Sequence, residues 1–92
     1  MFYRVKVSGF GFWKAFEGQP GQYNFLTNCF VDAESAEAAA QEALRRVAAR
    51  PGLAEQLGDS NSAASLVVTE SVEWFEPVRG SDEQGLVWYR PE

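Results

Sequence analysis

Ser35-Ala36-Glu37-Ala38-Ala39-Ala40-Gln41-Glu42-Ala43-Leu44-Arg45-Arg46-Val47-Ala48-Ala49-Arg50-Pro51-Gly52 is the stretch whose reading decides the fold. It predicts a helix over residues 35–49. Ser35, or alternatively Asp32, can accept the first orphan backbone N–H groups, and Glu34 and Glu37 suit the positive end of the helix dipole. Arg45, Arg46 and Arg50 crowd the last turn, and Pro51-Gly52 stops it. Ala36, Ala39, Ala40, Ala43, Leu44 and Val47 fall on one stripe at helical spacing. A stripe made mostly of alanine lets a helix lie close to a sheet covered by large side chains. The aromatics are accordingly elsewhere: residues 32–73 contain none.

Outward from the helix the pattern changes period. On the N-terminal side, Tyr3, Val5 and Val7 alternate with Phe2, Arg4, Lys6 and Ser8, as in a half-buried strand. Residues 23–31 are rich in aromatic and β-branched side chains and predict a second strand. Glu17-Gly18-Gln19-Pro20-Gly21 between them reads as a loop, so residues 2–31 form a long hairpin. On the C-terminal side, residues 53–57 suggest a short helical turn and 58–64 a polar loop. Residues 65–76 and 85–90 predict a third and a fourth strand, joined by a long loop over 77–84. The expectation is an α+β, two-layer ββαββ fold. A four-stranded antiparallel sheet carries one main helix packed on one face, in a sandwich of the ferredoxin-like type. The third strand holds one irregularity. Leu66, Val68, Val72 and Trp74 share a parity with Glu70, which predicts a bulge near Glu70-Ser71 rather than an inward carboxylate.

Composition narrows the functional classes. Ninety-two residues are expected to form a single domain, 1–92, with a thin core, and 13 aromatics give it enough apolar surface to fold. Histidine is absent and Cys29 is the one cysteine, read as a buried thiol. An internal disulfide, a zinc site with its usual ligands and a Ser-His-Asp or Cys-His centre are therefore excluded. No catalytic motif, metal site or cofactor site is expected, and the chain is not read as an enzyme. No stretch approaches the ~20 apolar residues of a membrane span. The N-terminus alternates like a strand rather than presenting a signal-peptide core, so cytoplasmic residence is the expectation. The net charge of −5 is uneven, because residues 1–16 hold Arg4, Lys6 and Lys14 and no acid.

Those same N-terminal residues carry the functional expectation. Phe10, Phe12, Trp13 and Phe16 place four large aromatics within seven residues, a density that a small domain has difficulty burying. The helix covers one sheet face and no second long helix is predicted for the other. Phe10, Phe12, Trp13 and Phe16, with Arg4, Lys6 and Lys14, are thus the candidate interaction surface of a small acidic protein-binding module. Its expected partner is a second copy of the chain, as a homodimer, or another protein. The alternative is a small-molecule-binding domain, with a pocket between the sheet and residues 9–21 and Asn24, Thr27 or Asn28 as polar handles.

A third reading starts from Gly9-Phe10-Gly11-Phe12, which resembles part of the RNP1 motif of RRM RNA-binding domains. The resemblance covers about nine residues. Ser8 stands for the motif's basic residue, Trp13 for its Val and Ala15 for its last aromatic. The segment also lies on the first strand rather than the third. What the resemblance implies is base stacking on Phe10 and Phe12 with phosphates on Arg4, Lys6 and Lys14. Three cations are few, and Glu70, Glu73 and Glu76 are placed to pair with Arg4 and Lys6 across strands. Nucleic acid is therefore not the expected partner.

Overall fold

A computed structural model describes residues 1–16, 18–75 and 85–91, with the backbone alone at Phe16. The elements are β1 (Phe2–Phe16), β2 (Gln19–Asp32), α1 (Ala36–Ala48), α2 (Ala54–Leu57), β3 (Ser65–Glu73) and β4 (Val87–Tyr89). The strands form one antiparallel sheet in the order β3-β1-β2-β4, with α1 packed on one face. The long hairpin thus occupies the middle and the two later strands flank it. The expected ββαββ two-layer fold is what the chain adopts.

The helix begins and ends where its caps lie. Ser35 has an extended backbone and its Oγ accepts the Ala38 N–H at 3.1 Å, so Ser35 rather than Asp32 is the cap. Ala39, Ala43 and Val47 are buried against Tyr3, Val5, Val7, Cys29 and Val31. Small residues on the helix meet branched residues on the sheet, as the alanine stripe implies. On the helix's outer side Glu42 is bonded by Arg45 and lies 3.6 Å from Arg46. The bond from Arg45 holds the Glu42 carboxyl below its ordinary value and raises Arg45 in turn.

The hairpin is longer than its sequence suggests. Strand pairing runs to Phe16↔Gln19, so most of the expected 17–21 loop is ladder. A bulge makes this length possible without wasting Phe12. Gly9 pairs with Phe25 and Phe12 with Tyr23, so Phe10 and Gly11 together oppose Asn24. Gly11 takes the left-handed conformation this needs, with φ +71°. Its freed N–H donates to Asn24 Oδ1 at 3.2 Å. The Ala63 carbonyl presses on the same spot, 2.7 Å from where a Cβ would be, so the site requires glycine twice over.

A second bulge lies in β3. Lys6 pairs with Glu70 and Val7 with Val68, leaving Thr69 as the extra residue, close to the expected position. Leu66 and Val68 consequently join the core side, whereas Glu70, Val72 and Trp74 turn to the opposite face. Trp74 and Trp88 are separated by the full thickness of the sheet. Trp74 lies against Phe30 on the open face, and Trp88 lies against Phe12 and Phe25 on the helix face. Topology is the cause, since β3 and β4 occupy opposite edges.

Helix and hairpin differ in length, and this shapes the far end. Thirteen residues of α-helix span about 20 Å, whereas a fifteen-residue strand spans about 50 Å before twist shortens it. Beyond Val47 the helix no longer covers the sheet. Phe12, Phe25 and Trp88 fill that region, with ring centroids 5.0–6.2 Å apart, and Leu53 joins them in the core.

Candidate functional site

The residues singled out in sequence divide between two surfaces. Arg4, Lys6, Phe10 and Trp13 lie on the face opposite α1, and among the described residues no second helix packs there. Phe10 is 38% exposed and Trp13 60%. Phe12 is a correction to the candidate surface. It is fully buried on the helix side, because the bulge at Gly11 reverses the alternation after Phe10. Lys14 follows Phe12 to that side. The Phe16 side chain, Glu76 and the expected 77–84 loop lie outside the described residues.

Cross-strand pairing builds the open face in rows. Val72, Arg4 and Phe30 form one row, with Trp74 stacked near Arg4, whose guanidinium carbon is 5.2 Å from the ring centroid. Glu70, Lys6 and Asn28 form the next. Glu70 forms ion pairs with Arg4 at 3.1 Å and Lys6 at 3.7 Å, one of the pairings expected from the sequence. Val67, Ser8, Leu26 and Val87 form the third row, and Phe10 and Tyr89 lie beyond it. Phe2, Phe10, Val67, Val72, Val87 and Tyr89 are all exposed. The face is therefore apolar at both ends, with a mixed-charge band between them.

The pair Phe10 and Phe12 does not form a stacking platform, since the two rings lie on opposite sides of the sheet. The strand edge at Trp13 is also closed. Trp13 N–H donates to Gln56 Oε1 at 2.6 Å and Gln56 Nε2 donates to the Trp13 carbonyl at 3.0 Å. One side-chain amide here does the work of a neighbouring strand.

On the helix side, at the end the helix fails to reach, lies an open cleft of about 490 Å³. Trp88, Leu86, Leu53, Pro51 and Ala15 supply apolar wall, and Lys14, Arg50 and Gln56 supply the polar groups. The Lys14 ammonium sits 4.6 Å from the Trp88 ring centroid. None of the polar groups expected to line a pocket between the sheet and residues 9–21 lines this cleft. Asn24 and Asn28 lie on the open face, and Thr27 is buried, donating to the Gly85 carbonyl at 3.3 Å. Sequence reasoning missed that Arg50, Gln56, Leu86 and Trp88 share the wall of one cleft with Lys14. Arg50 is accounted for locally by the helix end, and nothing local links it to the hairpin.

The chain matches no protein-family model, no curated protein and no solved structure. Among the described residues, no group of three or more His, Cys, Asp or Glu side chains could hold a metal ion, and no helix is long and apolar enough to cross a membrane.

Proposed function

We propose that the protein is a self-associating interaction module, a homodimer formed through the open face of its sheet. The observation that carries this reading is the exposure of Phe10, Trp13, Val67, Val87 and Tyr89 on a face that α1 does not cover. Exposed apolar side chains of this kind cost free energy in water and are relieved by burial against a complementary surface.

A second copy fits that face for three reasons. First, an isologous interface must complement itself. Here Arg4, Lys6 and Glu70 put both signs of charge in the middle band, with apolar residues toward both ends. A two-fold axis over the band brings each cation of one copy toward the carboxylate of the other and matches apolar end to apolar end. Second, the size is adequate. Residues 2–13 of β1, their partners in β2 and the shorter β3 present roughly 500 Å² in projection, and side-chain relief takes the accessible area toward the ~800 Å² per partner of a standard interface. Third, Gln56 closes the hairpin edge at Trp13, which favours face-to-face over edge-to-edge association.

Light scattering after size exclusion, over a range of concentrations, tests the reading. The expected mass is twice the 10.2 kDa of one chain. Phe10→Glu should shift it to a monomer with an unchanged far-ultraviolet dichroism spectrum. One chain's mass at every concentration for the unaltered protein would overturn the proposal.

A further inference from the structure

Strand pairing leaves the outer edge of β3 open. The Trp74 N–H donates to the Phe2 carbonyl at 2.8 Å, so Trp74, Val72 and Glu70 turn their backbone N–H and C=O groups toward β1. Ser71 and Glu73, which alternate with them, turn theirs outward. Beyond the bulge Ser8 continues the alternation of β1, and Leu66 and Val68 turn outward in the same way. Among the described residues, no backbone or side-chain group bonds to these outward groups. The other edges are short or closed: β4 has 3 residues, and Gln56 occupies the β1 edge at Trp13. β3 runs for 9 residues and holds neither the proline nor the lysine that commonly blunts an edge.

We infer that this edge takes an extended segment of a basic partner protein as an added strand of the sheet. Backbone pairing supplies the affinity common to any extended segment, and charge selects the partner. Residues 32–44 and 51–75 contain no Lys or Arg. The Ser71 hydroxyl donates to the Ala36 carbonyl at 2.8 Å, which sets the first turn of α1 beside the same stretch of β3. Glu37 in that turn and Glu73 on the strand are exposed, and neither has an ion-pair partner among the described residues. Glu70 is already held by Arg4 and Lys6 on the open face and takes no part.

The alternation of a strand assigns the partner's side chains. Ser71 and Glu73 share the helix side of β3, where Ser71 meets α1. Residues of the segment that pair with them lie on the same side, so Lys or Arg there faces Glu73 and the first turn of α1. The intervening residues lie on the other side, where β-branched side chains suit a strand. A second copy of this chain does not suit the edge. β3 laid on β3 brings Glu70 and Glu73 from each side with no cation, and each chain carries −5. Docking extends the sheet sideways, so it holds whether or not the open face is paired.

Three capped peptides provide the test, titrated into the ¹⁵N-labelled full chain and followed by NMR. The first is Lys-Val-Lys-Val-Lys-Val, the second has Glu for each Lys, and the third is the first with its lysine backbone nitrogens methylated. The lysine peptide is expected to move the Leu66, Val68, Ser71 and Glu73 amides downfield and slow their hydrogen exchange, leaving the amides of β4 on the opposite edge in place. The glutamate peptide should bind at least about tenfold more weakly. The methylated peptide keeps its charge but has lost the donors that face β3, and should not slow exchange. Glu73→Gln should weaken the lysine peptide about threefold, the worth of one cross-strand charge pair. Equal affinity for the lysine and glutamate peptides, slowed exchange with the methylated one, shifts centred on β4, or no saturable shift at millimolar peptide would each overturn the inference. Slow exchange at the same amides in the free protein would overturn it too, by giving the edge to a second copy. The unaltered protein alone can return any of these, so the outcome does not depend on a variant folding.

Discussion

Phe12→Ala is expected to cost about 3–5 kcal/mol of stability, whereas Trp13→Ala, one residue along, costs under about 1 kcal/mol. The two side chains are of comparable size and adjacent, but the Gly11 bulge puts Phe12 into the core at zero exposure and leaves Trp13 60% exposed. Removing the Phe12 ring opens a cavity between Phe25 and Trp88, its neighbours at 5.3 and 6.2 Å, and α1 ends too early to fill it. A domain of this size has only about 5–15 kcal/mol in total, so the variant should lie near its unfolding threshold at room temperature. Urea titration at a protein concentration low enough to give monomers measures both costs. Equal costs for the two substitutions would refute the bulge, since a regular ladder would exchange their environments.

The second large effect is expected at Gly9. A methyl group there would overlap the Phe25 ring. An aromatic tip can often swing aside cheaply, but this one is held by Phe12 and Trp88 at 5.3 and 5.0 Å and is fully buried. Gly9→Ala should therefore cost about 3 kcal/mol, at the upper end of overpacking penalties, and disturb the near-ultraviolet dichroism of the aromatic cluster. Gly21→Ala on the neighbouring strand provides the contrast. Its added methyl would stand 4.0 Å from the Tyr23 ring, an ordinary contact, and should cost little. Phe25→Leu, which shortens the obstructing side chain, should recover part of the Gly9→Ala loss in a double-mutant cycle. Additive costs in that cycle would mean that the Phe25 ring is not the obstacle.

These two sites show what the residues disclosed and what they withheld. The helix was legible because its signals are local and agree: Ser35 at the start, arginines at the end, Pro51-Gly52 beyond, and alanines on one stripe. The bulge in β3 was legible because Glu70 stood out of phase among apolar neighbours, so its charge marked the break. The bulge in β1 left no such mark. Phe10, Phe12 and Trp13 are aromatic on either parity, and periodicity cannot assign faces when every candidate is apolar. The separation of Trp74 from Trp88 depends on β3 and β4 taking opposite edges of the sheet, a matter of chain topology rather than of any local pattern. The cleft was hidden for a related reason. Lys14 and Arg50 become neighbours only because a thirteen-residue helix ends short of a fifteen-residue strand.

The β1 bulge also bears on how the gene can change length. In most of a paired strand, losing one codon turns every later side chain to the wrong side. Gly11 is an exception. Without it, Phe10 alone would oppose Asn24, Phe12 would still meet Tyr23, and each face of the hairpin would keep its residues. A chain lacking Gly11 should therefore fold, losing only the bend and the fit against Ala63. Lys14 has no bulge beside it to take up the difference. A deletion scan along the hairpin, scored by melting temperature, should show a single tolerant point at the bulge. Shorter natural variants of this chain would be expected to have lost their residue there.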